Sequence, residues 1–246
     1  MNTQNNKITM DVLLQLNEQF SIKRVQYKAA IRKMRSYLQI LNDEFNAMHQ
    51  RNPIHHIESR VKDILSIAQK LQRKGFEISM DAAIENLTDI AGVRVVCAYI
   101  EDVYRIAELL KQANELKVIR ERDYIKNPKD NGYRSLHYII LIPAFIGGEK
   151  IKVALELQIR TIAMDFWASL DHRLRYKNHM HHQFPSFAVE LKNAANDVAN
   201  LDNKMQQLYT QMQTLYKNDQ VEPKLDIFHT IIDSDEEHDL FYPLNK

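Results

Sequence analysis

The most regular pattern in the chain lies at residues 151–161, where apolar and polar side chains alternate. A two-residue period is typical of a β-strand, because successive side chains point to opposite faces. The apolar face consists of Val153, Leu155, Leu157 and Ile159, and the other face consists of Ala154, Glu156, Gln158 and Arg160. The strand can therefore bury one face in a core while the other presents an acid, an amide and a guanidinium in a row. A solvated strand face would fold equally well, so this alternation indicates a site only in combination with other motifs.

Length and composition favour a globular protein with one core. The 246 residues, 45% of them hydrophobic, suffice for one ample core with helical extensions. The apolar runs are too short to span a membrane, and the N-terminus is polar rather than signal-like. A net charge of +1 gives no reason to expect a stable nucleic-acid partner. The single cysteine, Cys97, cannot form an internal disulfide, and we expect a cytoplasmic protein.

Helical and strand patterns are mixed along the chain. An N-terminal helical stripe ends at Pro53 and consists of Tyr27, Ile31, Met34, Leu38, Leu41 and Phe45. We expect strands at 54–62, 93–99, 116–122, 133–142 and 151–161, and helices at 63–75, 82–87 and 103–114. Gly147 and Gly148 predict a hairpin between the last two strands. The fold class is thus α+β, with a central mixed β-sheet flanked by helices, whereas the order of the strands does not follow from the sequence.

The predicted organisation has three parts: an N-terminal helical extension at 1–50, a central domain at 51–180, and a C-terminal helix with an acidic tail at 181–246. Apolar residues repeat in heptads along that last helix. They are Leu191, Ala194, Val198, Leu201, Met205, Leu208, Met212 and Leu215. Two interpretations stay open, because such a helix can pack on its own domain or pair with another subunit of a homo-oligomer.

Four segments carry charged and hydrogen-bonding residues. Taken together, in this order and spacing, they are more specific than any single segment. They are Glu58-Ser59-Arg60-Val61-Lys62, Asp89-Ile90-Ala91-Gly92-Val93-Arg94, Asn131-Gly132-Tyr133-Arg134-Ser135-Leu136-His137 and Glu156-Leu157-Gln158-Ile159-Arg160-Thr161. Their order and spacing resemble the synthetase domain of the RelA/SpoT-homologue family, over residues 55–177. The segment from Ala163 to His172 is similar to that of the stand-alone members, the small alarmone synthetases. The residues around Asp165 are most similar to the RelP branch.

The resemblance implies a nucleotidyltransferase-like synthetase domain and a defined reaction. The β,γ-pyrophosphoryl group of ATP would pass to the ribose 3′-hydroxyl of GTP or GDP, giving (p)ppGpp. The resemblance supplies Asp89 and Glu156 as the catalytic carboxylates and as ligands of Mg²⁺, a cation that prefers oxygen ligands. Glu156 can also take the proton of the 3′-hydroxyl as a general base. Outside this pattern, Asp89 would be a turn acid before a strand and Glu156 a solvated strand residue.

Five residues are expected, by resemblance, to bind ATP: two arginines that stack on adenine, and two lysines and a serine that hold phosphates. They are Arg60 and Arg94, and Lys62, Lys70 and Ser66. Outside the pattern, Lys70 would be an ordinary solvated helix lysine. The family often has Thr-Pro after the position of Lys62, where this chain has Asp63-Ile64. The approach of the following helix to the phosphates therefore stays open.

Five further residues are expected, by resemblance, to surround GTP or GDP. Tyr133 would stack on guanine, because its aromatic face suits a purine. Arg122 and Lys129 would bind the phosphates of the acceptor, and Gln158 would place its ribose. His137 would contact a phosphate or support another site residue, although a lone histidine is more often a core residue.

Asp165 occupies a position where relatives can carry Asn. A carboxylate can accept the guanine N1–H and N2–H₂ groups together, a pairing that adenine does not offer. We therefore predict that Asp165 selects guanine in the acceptor.

Two histidine motifs have less specific interpretations. His179, His181 and His182 suggest a zinc site, but the spacing lacks a fourth ligand, and we expect a polar loop. His238-Asp239 lies in an acidic tail, and the segment before the central domain is too short for a hydrolase domain. We therefore expect synthesis without hydrolysis, in a homo-oligomer that the resemblance implies to be a tetramer.

Two other functions match part of the pattern. Some relatives transfer a pyrophosphoryl group to the 3′ end of tRNA, but Tyr133 and the modest charge of the central region argue against that acceptor. A non-catalytic, RNA-binding regulatory oligomer would keep the fold without the reaction. The presence of both Asp89 and Glu156 argues against this alternative.

Overall fold

The computed structural model describes residues 8–49, 51–177 and 185–219. The helices in these residues are α1 (Met10–His49), α2 (Ile64–Arg73), α3 (Met80–Asn86), α4 (Ile100–Gln112), α5 (Ile162–Lys177) and α6 (Pro185–Asp219). The strands are β1 (Ile54–Val61), β2 (Ala91–Cys97), β3 (Lys117–Asp123), β4 (Leu136–Ile146) and β5 (Glu149–Thr161). The chain groups into one unit at Met1–Gln207, which holds the sheet, and a second at Leu208–Lys246. None of the helices in the described ranges is long and apolar enough to cross a lipid bilayer.

The strands form one mixed sheet in the order β1-β2-β5-β4-β3. β2 and β5 run parallel, whereas the other neighbouring pairs are antiparallel. The structure therefore confirms the predicted α+β class with a central mixed sheet. β5 lies in the middle of this sheet, and its apolar face is therefore buried in the core. On the other face, its side chains lie between those of β2 and β4.

The hydrophobic core joins the sheet to the helices α1, α2, α3 and α4. The alternation of β5 is confirmed, since Leu155, Leu157 and Ile159 are fully buried. They belong to the same apolar cluster as Met34 and Leu38 of α1, which are also fully buried. The helical stripe predicted for the N-terminal part thus faces the core.

The hairpin predicted at the two adjacent glycines is also present. β4 and β5 pair antiparallel up to Ile146 and Glu149. Gly147 and Gly148 between them have φ values of 62° and 86°. Glycine adopts this left-handed region readily because it has no Cβ atom to clash.

The strand predicted at 133–142 begins later than expected, at Leu136. Gly132 has a φ of 89°, and its backbone N–H donates to the carbonyl of Lys129 at 2.8 Å. This turn places Tyr133 and Ser135 in the loop before β4. They therefore lie outside the strand that carries His137, whereas a strand over 133–142 was expected to include them.

The first part of α6 packs on the central domain. Leu191 and Ala195 form a small apolar cluster with Trp167, whose indole N–H donates to the carbonyl of Leu191 at 3.1 Å. Further along, the heptad residues Leu201 and Met205 are 57% and 45% exposed. The beginning of α6 therefore packs on its own domain, as one of the two interpretations expected. The apolar residues further along the helix, at Leu201 and Met205, face solvent.

Three sequence features lie outside the described residues. They are the histidines at 179, 181 and 182, the acidic tail at 233–239, and His238-Asp239 within it.

Replacing Leu38 with Ala should lower the free energy of unfolding by about 3 kcal/mol, because it leaves a cavity beneath the sheet. Urea denaturation followed by circular dichroism measures this loss. Ile40 on the same helix is 60% exposed, and its replacement with Ala should cost less than about 0.5 kcal/mol. Equal losses in the two variants would contradict the placement of the core.

Candidate active site

The polar face of the sheet carries two rows of residues that run across all five strands. Residues paired across strands point to the same face. One row consists of Glu58, Arg94, Gln158, His137 and Arg122. The next row consists of Arg60, Gly92, Glu156, Ile139 and Arg120. Strand pairing therefore collects side chains from distant segments on one surface.

Two pockets open on this surface. The first, here called the arginine pocket, is lined by Glu58, Arg60, Arg94 and Gln158. The second, here called the basic pocket, is lined by Lys70, Lys74, Arg120, Arg122, Lys129 and His137. Asp89 and Glu156 line both pockets. The two acids therefore lie on the wall that the pockets share.

Asp89 is held between two ammonium groups just before β2. Its Oδ2 accepts hydrogen bonds from Lys62 and, at 2.5 Å, from Lys70. Burial raises the pKa of Asp89, but these two hydrogen bonds outweigh burial and leave the pKa below its usual value. The carboxyl group is therefore an anion. Its Oδ1 is buried and has no hydrogen-bond partner among the described residues.

Lys62 is affected by the same cluster. Burial lowers its pKa, and the cations of Lys70 and Arg60 lower it further, which outweighs the opposing effect of Asp89. These three cations therefore form a cluster around Lys62, next to Asp89. Such a cluster is suited to a phosphate chain, whose negative charges offset the repulsion among the cations.

Glu156 lies on the same shared wall as Asp89. Gln158 donates to its Oε2 at 3.0 Å, and His137 Nδ1 lies 3.6 Å from its Oε1. Burial and the charge of Asp89 raise the pKa of Glu156, but His137 and Gln158 outweigh them and leave the pKa below its usual value. Glu156 is therefore an anion close enough to Asp89 for their charges to interact.

Ser66 has a structural role in this arrangement. Asp63 caps α2, since its side chain accepts from the backbone N–H of Ser66 at 2.8 Å and from its hydroxyl at 2.7 Å. The described residues that line the two pockets do not include Ser66. Asp63 thus engages the hydroxyl predicted to bind phosphate.

Arg94 joins the arginine pocket to α5. Its Nη1 lies 3.0 Å from Glu58 Oε2 and 3.2 Å from Asp165 Oδ1. Its Nε is buried and has no hydrogen-bond partner in the described part of the chain. Arg60 lines the same pocket. The two arginines predicted to stack on adenine therefore do converge.

The aromatic residues of the acceptor prediction converge beside the basic pocket. The Tyr133 hydroxyl lies 2.8 Å from His137 Nε2, although Tyr133 is outside the strand. The Lys129 ammonium lies 4.7 and 4.8 Å from the ring centroids of Tyr124 and Tyr133. Burial is the main cause that lowers the pKa of His137, and it prevails over the opposing effect of Glu156. The imidazole is therefore neutral near pH 7.

Arg160, which is only 4% exposed, was not predicted to belong to the site. It donates hydrogen bonds to Ser135, Tyr133, Gln158 and Asp165. The available signal was its place on the polar face of β5, but a strand pattern does not distinguish a buried guanidinium from a solvated one. Arg120 and Tyr124 in the basic pocket were also missed. Arg120 could have been found from its two-residue spacing to Arg122.

The arrangement suits a metal-assisted reaction between two phosphate-bearing ligands. No group of three or more His, Cys, Asp or Glu residues in the described ranges could hold a metal alone. Two carboxylates, one with an unpartnered buried oxygen, fit a cation such as Mg²⁺, which takes its other ligands from phosphates and water.

Sequence comparison places this site in a known family. Residues 59–181 match the model described as the region found in RelA/SpoT proteins. GTP pyrophosphokinase YwaC of Bacillus subtilis is 44% identical over 194 residues, which cover 78% of this chain and 91% of that protein. GTP pyrophosphokinase YjbM of the same organism is 36% identical over 154 residues, covering 62% of this chain and 71% of that protein.

Structural comparison gives the same grouping. Small alarmone synthetase 2 from B. subtilis superimposes with a TM-score of 0.70 and 41% identity, covering 78% of this chain and 99% of the other. Small alarmone synthetase 1 from B. subtilis, bound to its product pppGpp, gives a TM-score of 0.72 and 30% identity, covering 80% and 99%. The same enzyme bound to AMPCPP gives 0.66 and 28%, with the same coverage. The chain belongs to the RelA/SpoT family.

Proposed function

We propose that this protein is a GTP pyrophosphokinase that makes (p)ppGpp from ATP and GTP or GDP. The observation that carries the proposal is the position of Asp89 and Glu156 on the wall shared by two pockets. The relatives named above support it, since they are GTP pyrophosphokinases and one related structure holds pppGpp. No hydrolase activity is part of this proposal.

The donor occupies the arginine pocket in this proposal. Arg60 and Arg94 stack on the adenine of ATP, and its phosphates extend towards Asp89. Lys62 and Lys70 lie beside Asp89 and offset the charge of the phosphate chain. Ser66 binds the phosphates as well only if its hydroxyl gives up its hydrogen bond to Asp63.

The acceptor occupies the basic pocket, where Arg122 and Lys129 bind its 5′ phosphates. Tyr133 stacks on guanine, and Gln158 places the ribose so that the 3′-hydroxyl faces Glu156. His137 supports this arrangement beside Tyr133. Asp165 reads guanine, although its Oδ1 already binds Arg94 and Arg160.

The reaction consists of one displacement at phosphorus. The 3′-oxygen of the acceptor bonds to the β-phosphorus of ATP, and the bond from that phosphorus to the α–β bridging oxygen breaks, so that AMP leaves. Glu156 takes the proton of the 3′-hydroxyl. Mg²⁺ held by Asp89 and Glu156 would neutralise charge on the triphosphate.

Incubation with γ-labelled ATP and GDP or GTP should label the guanosine nucleotide. Asp89→Asn and Glu156→Gln should each lower this transfer at least about 100-fold, because they remove a metal ligand or the base. Chromatography of the labelled products measures the effect.

The matched control for this assay is Asp81→Asn, which changes an exposed carboxylate on α3 and should leave the rate unchanged. EDTA should abolish transfer, and added Mg²⁺ should restore it. Label in tRNA instead of a nucleotide would favour the alternative acceptor, and absence of any transfer would favour a non-catalytic protein.

Replacing Asp165 with Ala should reduce the preference for GTP over ATP as acceptor, because the variant loses the acceptor of the guanine N–H groups. The ratio of kcat/KM for the two acceptors measures this preference. Asp165→Asn, which keeps one acceptor oxygen, should retain more of it. Unchanged selectivity in Asp165→Ala would refute the role.

We also propose that the protein is a cytoplasmic homo-oligomer, a tetramer by resemblance, that associates through its terminal helices. Light scattering should then give four times the chain mass of 29.0 kDa. Leu201→Glu with Met205→Glu should lower the mass, because it places charge on an exposed apolar stripe. A single-chain mass for the unaltered protein would contradict the proposal.

A further inference from the structure

The Nη2 atom of Arg160 donates to two acceptors that belong to the candidate site. It lies 2.5 Å from the Tyr133 hydroxyl and 2.6 Å from Gln158 Oε1. Arg160 is 4% exposed, and a guanidinium has hydrogen-bond donors but no acceptor. Both neighbours must therefore use these oxygens as acceptors towards Arg160.

Two chains of side-chain contacts, here called paths, lead from Arg160 to Glu156. The first path leads through Tyr133 and His137. Because the Tyr133 oxygen accepts from Arg160, its own proton is available for His137 Nε2, which lies 2.8 Å away. The other ring nitrogen, Nδ1, faces Glu156 Oε1 at 3.6 Å, and an ionised carboxylate can only accept. Both ends of the path thus favour the neutral imidazole that carries its proton on Nδ1.

The second path leads through Gln158. Its amide oxygen accepts from Arg160, which turns its amide nitrogen towards Glu156 Oε2 at 3.0 Å. The amide has no equivalent alternative orientation, because a flipped amide would place its N–H groups against the guanidinium. One oxygen of Glu156 therefore receives a hydrogen bond from Gln158, and the other faces the ring of His137.

We propose that Arg160 is a positioning residue for Glu156. It fixes the orientation of Gln158, which donates to Glu156 Oε2 at 3.0 Å, and of His137, whose Nδ1 faces Oε1 at 3.6 Å. Arg160 itself touches neither oxygen. Its role is to set the tautomer of His137 and the orientation of the Gln158 amide, so that both present a donor to Glu156. This holds the carboxylate in one orientation, facing the groups around it.

The same guanidinium also binds Asp165 through Nη1 at 3.1 Å. Arg160 therefore contacts three side chains expected around the acceptor: Tyr133, Gln158 and Asp165. Loss of the guanidinium should disturb both the base and the acceptor, while the adenine-stacking residues keep their other contacts. The inference depends on the proposed function only in naming Glu156 as the base.

The hydrogen-bond direction can be measured without any substrate. Protein labelled with ¹⁵N-histidine is studied by NMR at about pH 8, above the ordinary pKa of histidine. The chain has 10 histidines, and His137→Gln assigns the relevant signal. The expected tautomer is Nδ1–H, whereas free imidazole side chains in water favour Nε2–H. Tyr133→Phe removes only the hydroxyl, and Arg160→Met removes the donor; both should shift His137 towards Nε2–H.

Kinetics test the consequence for catalysis. Arg160→Met should lower kcat about 10- to 100-fold and raise KM for GDP, while KM for ATP stays within about twofold. Because both variants interrupt one path, the effects of Arg160→Met and Tyr133→Phe should be less than additive. Arg32→Met, at an exposed position of α1, is the control and should change neither tautomer nor rate.

An Nε2–H tautomer in the unaltered protein would overturn the proposal, as would an unchanged tautomer in both variants. If Arg160→Met does not fold, Tyr133→Phe decides alone, since it keeps the ring and removes one oxygen. A protein with the expected tautomer but no pyrophosphoryl transfer would refute the proposed function and leave the hydrogen-bond paths intact.

Discussion

Two like charges held close together in a partly buried cleft constrain the rest of this structure. Asp89 and Glu156 both stay ionised, although burial favours protonation of each and the charge of Asp89 also favours protonation of Glu156. They stay ionised because Lys62 and Lys70 bind one carboxylate, and Gln158 and His137 approach the other. The cleft thus holds two anions close together, with the ammonium groups of Lys62 and Lys70 against one of them. Placing these stabilising groups requires α2, β4 and β5 to meet at one wall.

The periodic parts of the fold could be predicted from the sequence for a clear physical reason. β5 alternates because one face enters the core, and α1 has a helical stripe for the same reason. Adjacent glycines marked the hairpin because few other residues adopt positive φ. The prediction that Tyr133 begins a strand was wrong, because the turn at Gly132 leaves Tyr133 in the loop before β4. Strand order could not be predicted, since it depends on pairing between segments that are distant in the chain.

The site was predictable where a motif identified the residue and unpredictable where only burial decides its role. Asp89 and Glu156 do meet at one wall, but their roles rest on the family resemblance. Arg160 was missed because its exposure depends on α5 and on the loop before β4, neither of which follows from the alternation of β5. Ser66 was expected at a phosphate, but the chain's own Asp63 caps α2 and binds its hydroxyl. Each difference comes from a tertiary contact that local patterns do not encode.

The parallel pairing of β2 with β5 has a consequence for how the protein matures. This pair joins strands that are far apart in sequence, with α4, β3 and β4 between them. Contacts of such high sequence separation form slowly, because the chain must first pay the entropy of closing a long loop. Asp89 lies two residues before the start of β2 and Glu156 lies within β5, so neither pocket has its shared wall until that closure is complete. A partly folded or nascent chain, even one with β1, α2 and β2 in place, therefore lacks the wall that would separate two bound nucleotides.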